Sequence, residues 1–93
     1  MPTSPSAKKQ MRQSAQRRQR NRSVRSAVKT RVRKFLATLD SGDAEAARGA
    51  LREAVRMLDK AVSRGVLHRN TADRHKSRLA ARFNQLQRQD TQP

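Results

Sequence analysis

The chain has 93 residues, with 23 lysines and arginines against seven carboxylates and a formal net charge of +16. A chain this short supports one small domain with a thin core. The lack of cysteine excludes disulfides and thiolate metal sites. No apolar run approaches the roughly 18 residues of a membrane span or the apolar stretch of a secretory signal.

Met1–Pro5 holds two prolines and reads as irregular. From Ser6, a suitable N-cap, no proline or glycine interrupts the chain until Gly42. This predicts one long helix of about 50 Å. Twelve cations and no carboxylate occur before Asp40, whereas the remainder balances eleven cations against seven acids. The excess charge is therefore concentrated in an arm. Like charges along such a segment repel, and the partner that relieves the repulsion is a polyanion, whose condensed counterions are released on binding.

Val24, Val28, Val32, Phe35 and Leu39 recur at helical spacing and form an apolar stripe. Arg18, Arg22, Arg25, Lys29 and Arg33 form a second stripe, turned by about 100° from the first. A solvated helix face normally mixes Glu among its cations, and none is present here. Ahead of Val24 the apolar stripe fades while Arg17 and Arg20 intrude on it, so residues 1–23 read as an arm with no core to join. A mitochondrial transit peptide shares this Arg- and Ser-rich, acid-poor composition. Ala7, Met11 and Ala15, however, are too few to make an amphipathic face over residues 6–23.

Ser41-Gly42-Asp43 reads as a turn, with Asp43 as the N-cap of a second helix and Glu45 near its positive end. Ala47, Leu51, Ala54, Leu58 and Ala61 give that helix a core face, flanked by Ala50, Val55 and Val62. Arg48, Arg52, Arg56 and Lys60 follow its outer side, where Glu45, Glu53 and Asp59 are expected to compensate them and leave a solvated face. Gly65 is placed as a left-handed terminator, with Val66 and Leu67 folding back as an apolar clamp. Asn70 or Thr71 is expected to cap a third helix, whose apolar face is Ala72, Leu79, Phe83 and Leu86 and whose basic face is Arg74, Arg78 and Arg82. Met11 and Met57 read as packing fillers.

These elements predict an all-α fold: an antiparallel three-helix bundle over residues 24–87, with the long basic N-terminal helix extending beyond it. A polar, frayed tail is expected from Gln87, set apart as residues 88–93. Basic faces on the first and third helices suggest contact with two separate polyanion segments.

Catalytic constellations are missing. His68 and His75 have no cysteine or carboxylate at ligand spacing, too few donors for zinc, and read instead as capping and phosphate-contact residues. The three glycines stand apart at 42, 49 and 65 and make no phosphate loop. Neither a nucleophile–base pair nor a cofactor motif can be identified, so no enzymatic activity, cofactor, metal or small-molecule substrate is expected. Phe35 and Phe83, the only aromatic residues of the Phe, Tyr and Trp class, make no base-stacking platform.

The run Gly65-Val66-Leu67-His68-Arg69-Asn70-Thr71-Ala72-Asp73-Arg74-His75-Lys76-Ser77-Arg78-Leu79 resembles the Gly-x-Ile-His-Lys-Asn-x-Ala-Ala-Arg-x-Lys-Ser-x-Leu signature of the bacterial small-subunit ribosomal protein twenty family. Ser6-Ala7-Lys8-Lys9 resembles that family's N-terminal Ser-Ala-Lys-Lys. The likeness spans about residues 4–86. Arg69 stands where the family has Lys, Asp73 where it has Ala, and the opening Met-Pro-Thr-Ser-Pro is atypical.

The resemblance implies a three-helix bundle in the ribosome of the cytoplasm that binds 16S rRNA directly, at the 5′ domain and the long penultimate helix, among other small-subunit components. Under that reading Lys8, Lys9, Arg12, Arg17, Arg18, Arg20, Arg22, Arg25, Lys29 and Arg33 would thread between RNA helices. His68, Arg69, Asn70, Arg74, Lys76, Ser77 and Arg78 would grip a second segment, with Arg82 continuing their face. Basic composition alone equally suits a histone-like DNA-compacting protein, or a coiled-coil module whose arm binds an acidic protein.

Overall fold

The structure, a computed structural model, describes residues 4–91, with side chains through Arg88. It comprises three helices: α1 (Pro5–Ser41), α2 (Ala44–Ser63) and α3 (Arg69–Thr91). There is no strand among the described residues. The all-α bundle with a long first helix is thus as the sequence predicts. α1 has 37 residues, about 55 Å at helical rise. It draws the molecule out to 73 × 22 × 17 Å. The Cα radius of gyration is 18.5 Å, against about 12 Å for a compact domain of this length.

The ends of the helices differ in detail from the sequence reading. α1 is capped by Ser4 and not by Ser6: Ser4 Oγ accepts from Ala7 N–H at 3.2 Å, and Pro5 occupies the first turn. Proline suits that place because its ring presets φ and its missing N–H would have lacked a helical partner. α3 is capped by His68, not by Asn70 or Thr71. Its Nδ1 accepts from Asn70 N–H at 3.1 Å while its carbonyl accepts from Ala72 N–H at 3.1 Å. α3 also runs on past Gln87 to Thr91, into the stretch read as frayed.

The two turns behave as predicted. Gly42 has φ 77° and donates to the Leu39 carbonyl; Asp43 Oδ1 accepts from Glu45 and Ala46 N–H. At the end of α2, Gly65 takes φ 72°. Val66 N–H bonds to Ala61 O at 2.9 Å and Gly65 N–H to Val62 O at 3.0 Å. This paired pattern satisfies two terminal carbonyls while the residue beyond the glycine folds back on the last turn.

α2 is the wedge of the bundle. It packs on α1 and on α3, whereas α1 and α3 meet sparingly. Phe35 and Leu58 are the largest fully buried side chains, surrounded by Ala47, Ala50, Ala54, Ala72, Leu79, Phe83 and Leu86. The alanines let the helix backbones approach closely. A second cluster joins Val24, Ala61 and Val66 at the arm end, with Met57 packed on it. Met11, read as a filler, is instead 64% exposed, since none of the described residues folds over the arm.

Among the described residues none before Val24 is buried. Segments without buried contacts open locally at little free-energy cost. In the RNA-free protein, amide hydrogen exchange over residues 6–20 is expected to be orders of magnitude faster than at Leu58 or Ala54. Comparable protection in both regions would contradict it.

Candidate nucleic-acid interface

Along the arm, Lys8, Lys9, Arg12, Arg17, Arg18, Arg20 and Arg22 are exposed, as are Arg25, Lys29 and Arg33 where α1 enters the bundle. None of these cations forms an ion pair among the described residues. The track from Lys8 to Arg33 thus keeps its charge free over most of α1.

Two carboxylates of α2, Glu53 and Asp59, instead bridge to neighbouring helices. Glu53 of α2 takes Arg31 at 3.1 Å and Lys34 at 3.8 Å from α1. Asp59 of α2 takes Lys76 of α3 at 2.8 Å, and Asp73 adds a contact at 3.5 Å. Glu45 holds Arg48 at 3.4 Å, whose guanidinium also lies 6.0 Å from the Phe83 ring centre. The expected compensation along the outside of α2 therefore forms only at Arg48. Arg52, Arg56 and Lys60 have no ion pair among the described residues, because Glu53 and Asp59 turn toward neighbouring helices.

Lys76 occupies a different position from its companions. Its hydrogen bond to Asp59, with the charges of Asp59 and Asp73, raises its pKa above the ordinary 10.5 against a smaller desolvation effect. It remains an ammonium bridging α2 and α3 throughout the neutral range. Of the other α3 candidates, His68, Arg69, Asn70, Arg74, Ser77, Arg78 and Arg82 are exposed, and His68 also serves as the helix cap.

The basic residues of α1 and part of those of α3 converge. Arg25, Val28, Lys29, Val32 and Arg33 of α1 line a groove of about 470 Å³ whose other wall is Leu67 and His75. From the sequence His75 reads only as a capping or phosphate-contact residue; its spacing on α3 gives no sign that it faces α1. On a helix turning about 100° per residue, Arg78 and Arg82 lie within about 60° of His75, whereas Arg69, Asn70 and Ser77 lie more than 100° away. Farther along the seam, Leu39 and Arg82 share a shallower depression with Gln85 and Leu86. The expectation of two separate basic faces on α1 and α3 is therefore revised. His75, Arg78 and Arg82 share one side with the α1 stripe, while Arg69, Asn70 and Ser77 face away from it.

The arrangement offers phosphate-binding guanidinium and ammonium groups on an elongated surface. Among the described residues no cluster of three or more potential acidic, His or Cys ligands could hold a metal ion, and no helix is long and apolar enough to cross a membrane.

The family model of ribosomal protein S20 matches residues 2–84. Over 81 residues the chain is 53% identical to small ribosomal subunit protein bS20 of Carboxydothermus hydrogenoformans, covering 87% of each. With the protein of the same name from Pelotomaculum thermopropionicum, identity is 49% over 86 residues, 92% of this chain and 98% of the relative. The corresponding figures for Corynebacterium efficiens are 56% over 69 residues, 74% and 79%.

Proposed function

Since the chain belongs to the ribosomal protein S20 family, a family of structural ribosomal components and not of enzymes, we propose that it binds 16S rRNA directly and braces the folded RNA of the small subunit. One observation carries this reading: between Lys8 and Arg33 every cation except Arg31, which pairs with Glu53, is without a carboxylate partner among the described residues. Helical RNA is recognised mainly through its backbone and shape. An extended row of arginines suits that mode, because each guanidinium can grip a phosphate with two parallel hydrogen bonds. The proposed targets are the 5′ domain and the long penultimate helix, with the arm lying between RNA helices and the bundle seated at its end.

The test is filter binding of the full chain to a small-subunit rRNA transcript, over a range of salt and with duplex DNA as competitor. Retention should survive excess DNA, and affinity should fall steeply with salt. In the triple variant Arg25→Gln, Lys29→Gln, Arg33→Gln, the log–log salt slope should flatten by up to about 3. Lys76→Gln should shift affinity less than about twofold, since that ammonium already bridges Asp59 and Asp73 in an exposed pair of small energetic weight. Equal competition by DNA would favour DNA compaction instead.

A further inference from the structure

Phosphate contacts alone do not require an apolar floor, yet the groove between α1 and the start of α3 has one. Val28, Val32 and Leu67 are half-buried, leaving part of each side chain facing a space of about 470 Å³. The opening follows from the packing. α1 and α3 meet sparingly, and Val28 and Leu67 sit between the two core clusters, packed on both. Around this floor stand Arg25, Lys29, Arg33 and His75, and no carboxylate lines the groove.

The occupant must present an apolar face and carry negative charge beside it. An aliphatic peptide or lipid chain would cover the floor but leave the rim cations partly desolvated without partners. A regular duplex would satisfy the cations but offers the valines only sugar, phosphate and the polar edges of paired bases, with no base face free. An unpaired nucleotide meets both demands, because RNA loops and bulges splay bases that stack on histidine rings and guanidinium planes. We propose that the groove receives one unstacked nucleotide of the RNA. Its base lies on the Val28–Val32–Leu67 floor beside the His75 imidazole, and its flanking phosphates rest on Arg25, Lys29 and Arg33. This rests on the rRNA-binding reading and adds to it a site for a single base.

Base-specific chemical probing of the small-subunit rRNA transcript, bound by the full-length protein, tests the site. Val32→Phe fills the groove without changing charge; Val32→Thr keeps its size but makes the floor polar. The wild-type protein should protect an unpaired base that Val32→Phe returns to its free reactivity. Binding should weaken about tenfold, within the range found for losing one stacked base, while the salt slope stays unchanged because the phosphate contacts remain. Val32→Thr should show a smaller loss in the same direction, which keeps the test decisive if circular dichroism finds Val32→Phe unfolded. A wild-type protein that fails to bind the transcript would overturn the rRNA-binding reading itself. Normal binding without base protection, or protection unchanged in both variants, would overturn the nucleotide site alone.

Discussion

Removal of residues 1–20 is expected to lower affinity for small-subunit rRNA by at least about a hundredfold at moderate salt while leaving the bundle folded. The segment carries Lys8, Lys9, Arg12, Arg17, Arg18 and Arg20, and none of its described residues is buried. If all six cations neutralise phosphates, their loss flattens the log–log salt slope by up to about 5. Thermal unfolding of the truncated chain should stay close to that of the parent, because Val24, Phe35 and every buried residue of α2 and α3 are retained. Affinity and slope both unchanged would show that the arm does not lie on RNA. A collapsed melting transition would show that it supports the bundle.

The largest expected effect on stability is that of Phe35→Ala. Phe35 has no solvent exposure and, with Leu58, is the largest side chain buried so completely among the described residues. Much of the surrounding core is alanine, which cannot extend to fill the vacancy. Truncating a buried phenylalanine costs about 3–5 kcal/mol, comparable with the whole stability of a marginal domain of about 5 kcal/mol. The helical signal of Phe35→Ala should therefore melt at much lower urea concentration than the parent, leaving a substantial unfolded fraction in buffer. An unchanged midpoint would mean that the packing around Phe35 is looser than its burial indicates. Truncation at Val32 on the groove floor, where the side chain is only half-buried, should be far milder.

Much of this fold is legible in the sequence because helical periodicity and turn chemistry are local. The spacing of Val24, Val28, Val32, Phe35 and Leu39 identifies the face that α1 presents to the bundle. Gly65 announces its own left-handed turn. What local pattern does not convey is rotation of one helix about its axis relative to another. Glu53 and Asp59 sit among the α2 cations in sequence, but the packing angle sends them to Arg31 and Lys76 on neighbouring helices. For the same reason the approach of His75 to the α1 stripe could not be read from α3 alone. The caps fail differently. Serine is equally suitable at positions 4 and 6, and the choice follows from Pro5 fitting the first turn. His68 caps through a ring nitrogen, an acceptor outside the usual set of short oxygen side chains.

The position of α2 as a wedge has a kinetic consequence. Each substantial interface joins helices that are consecutive in the chain, so docking closes only the short turns around Gly42 and Gly65. Closing short loops costs little chain entropy, and folds dominated by such nearby contacts form rapidly. Each helix can settle on the one completed before it during synthesis, with no distant segment required to finish the core.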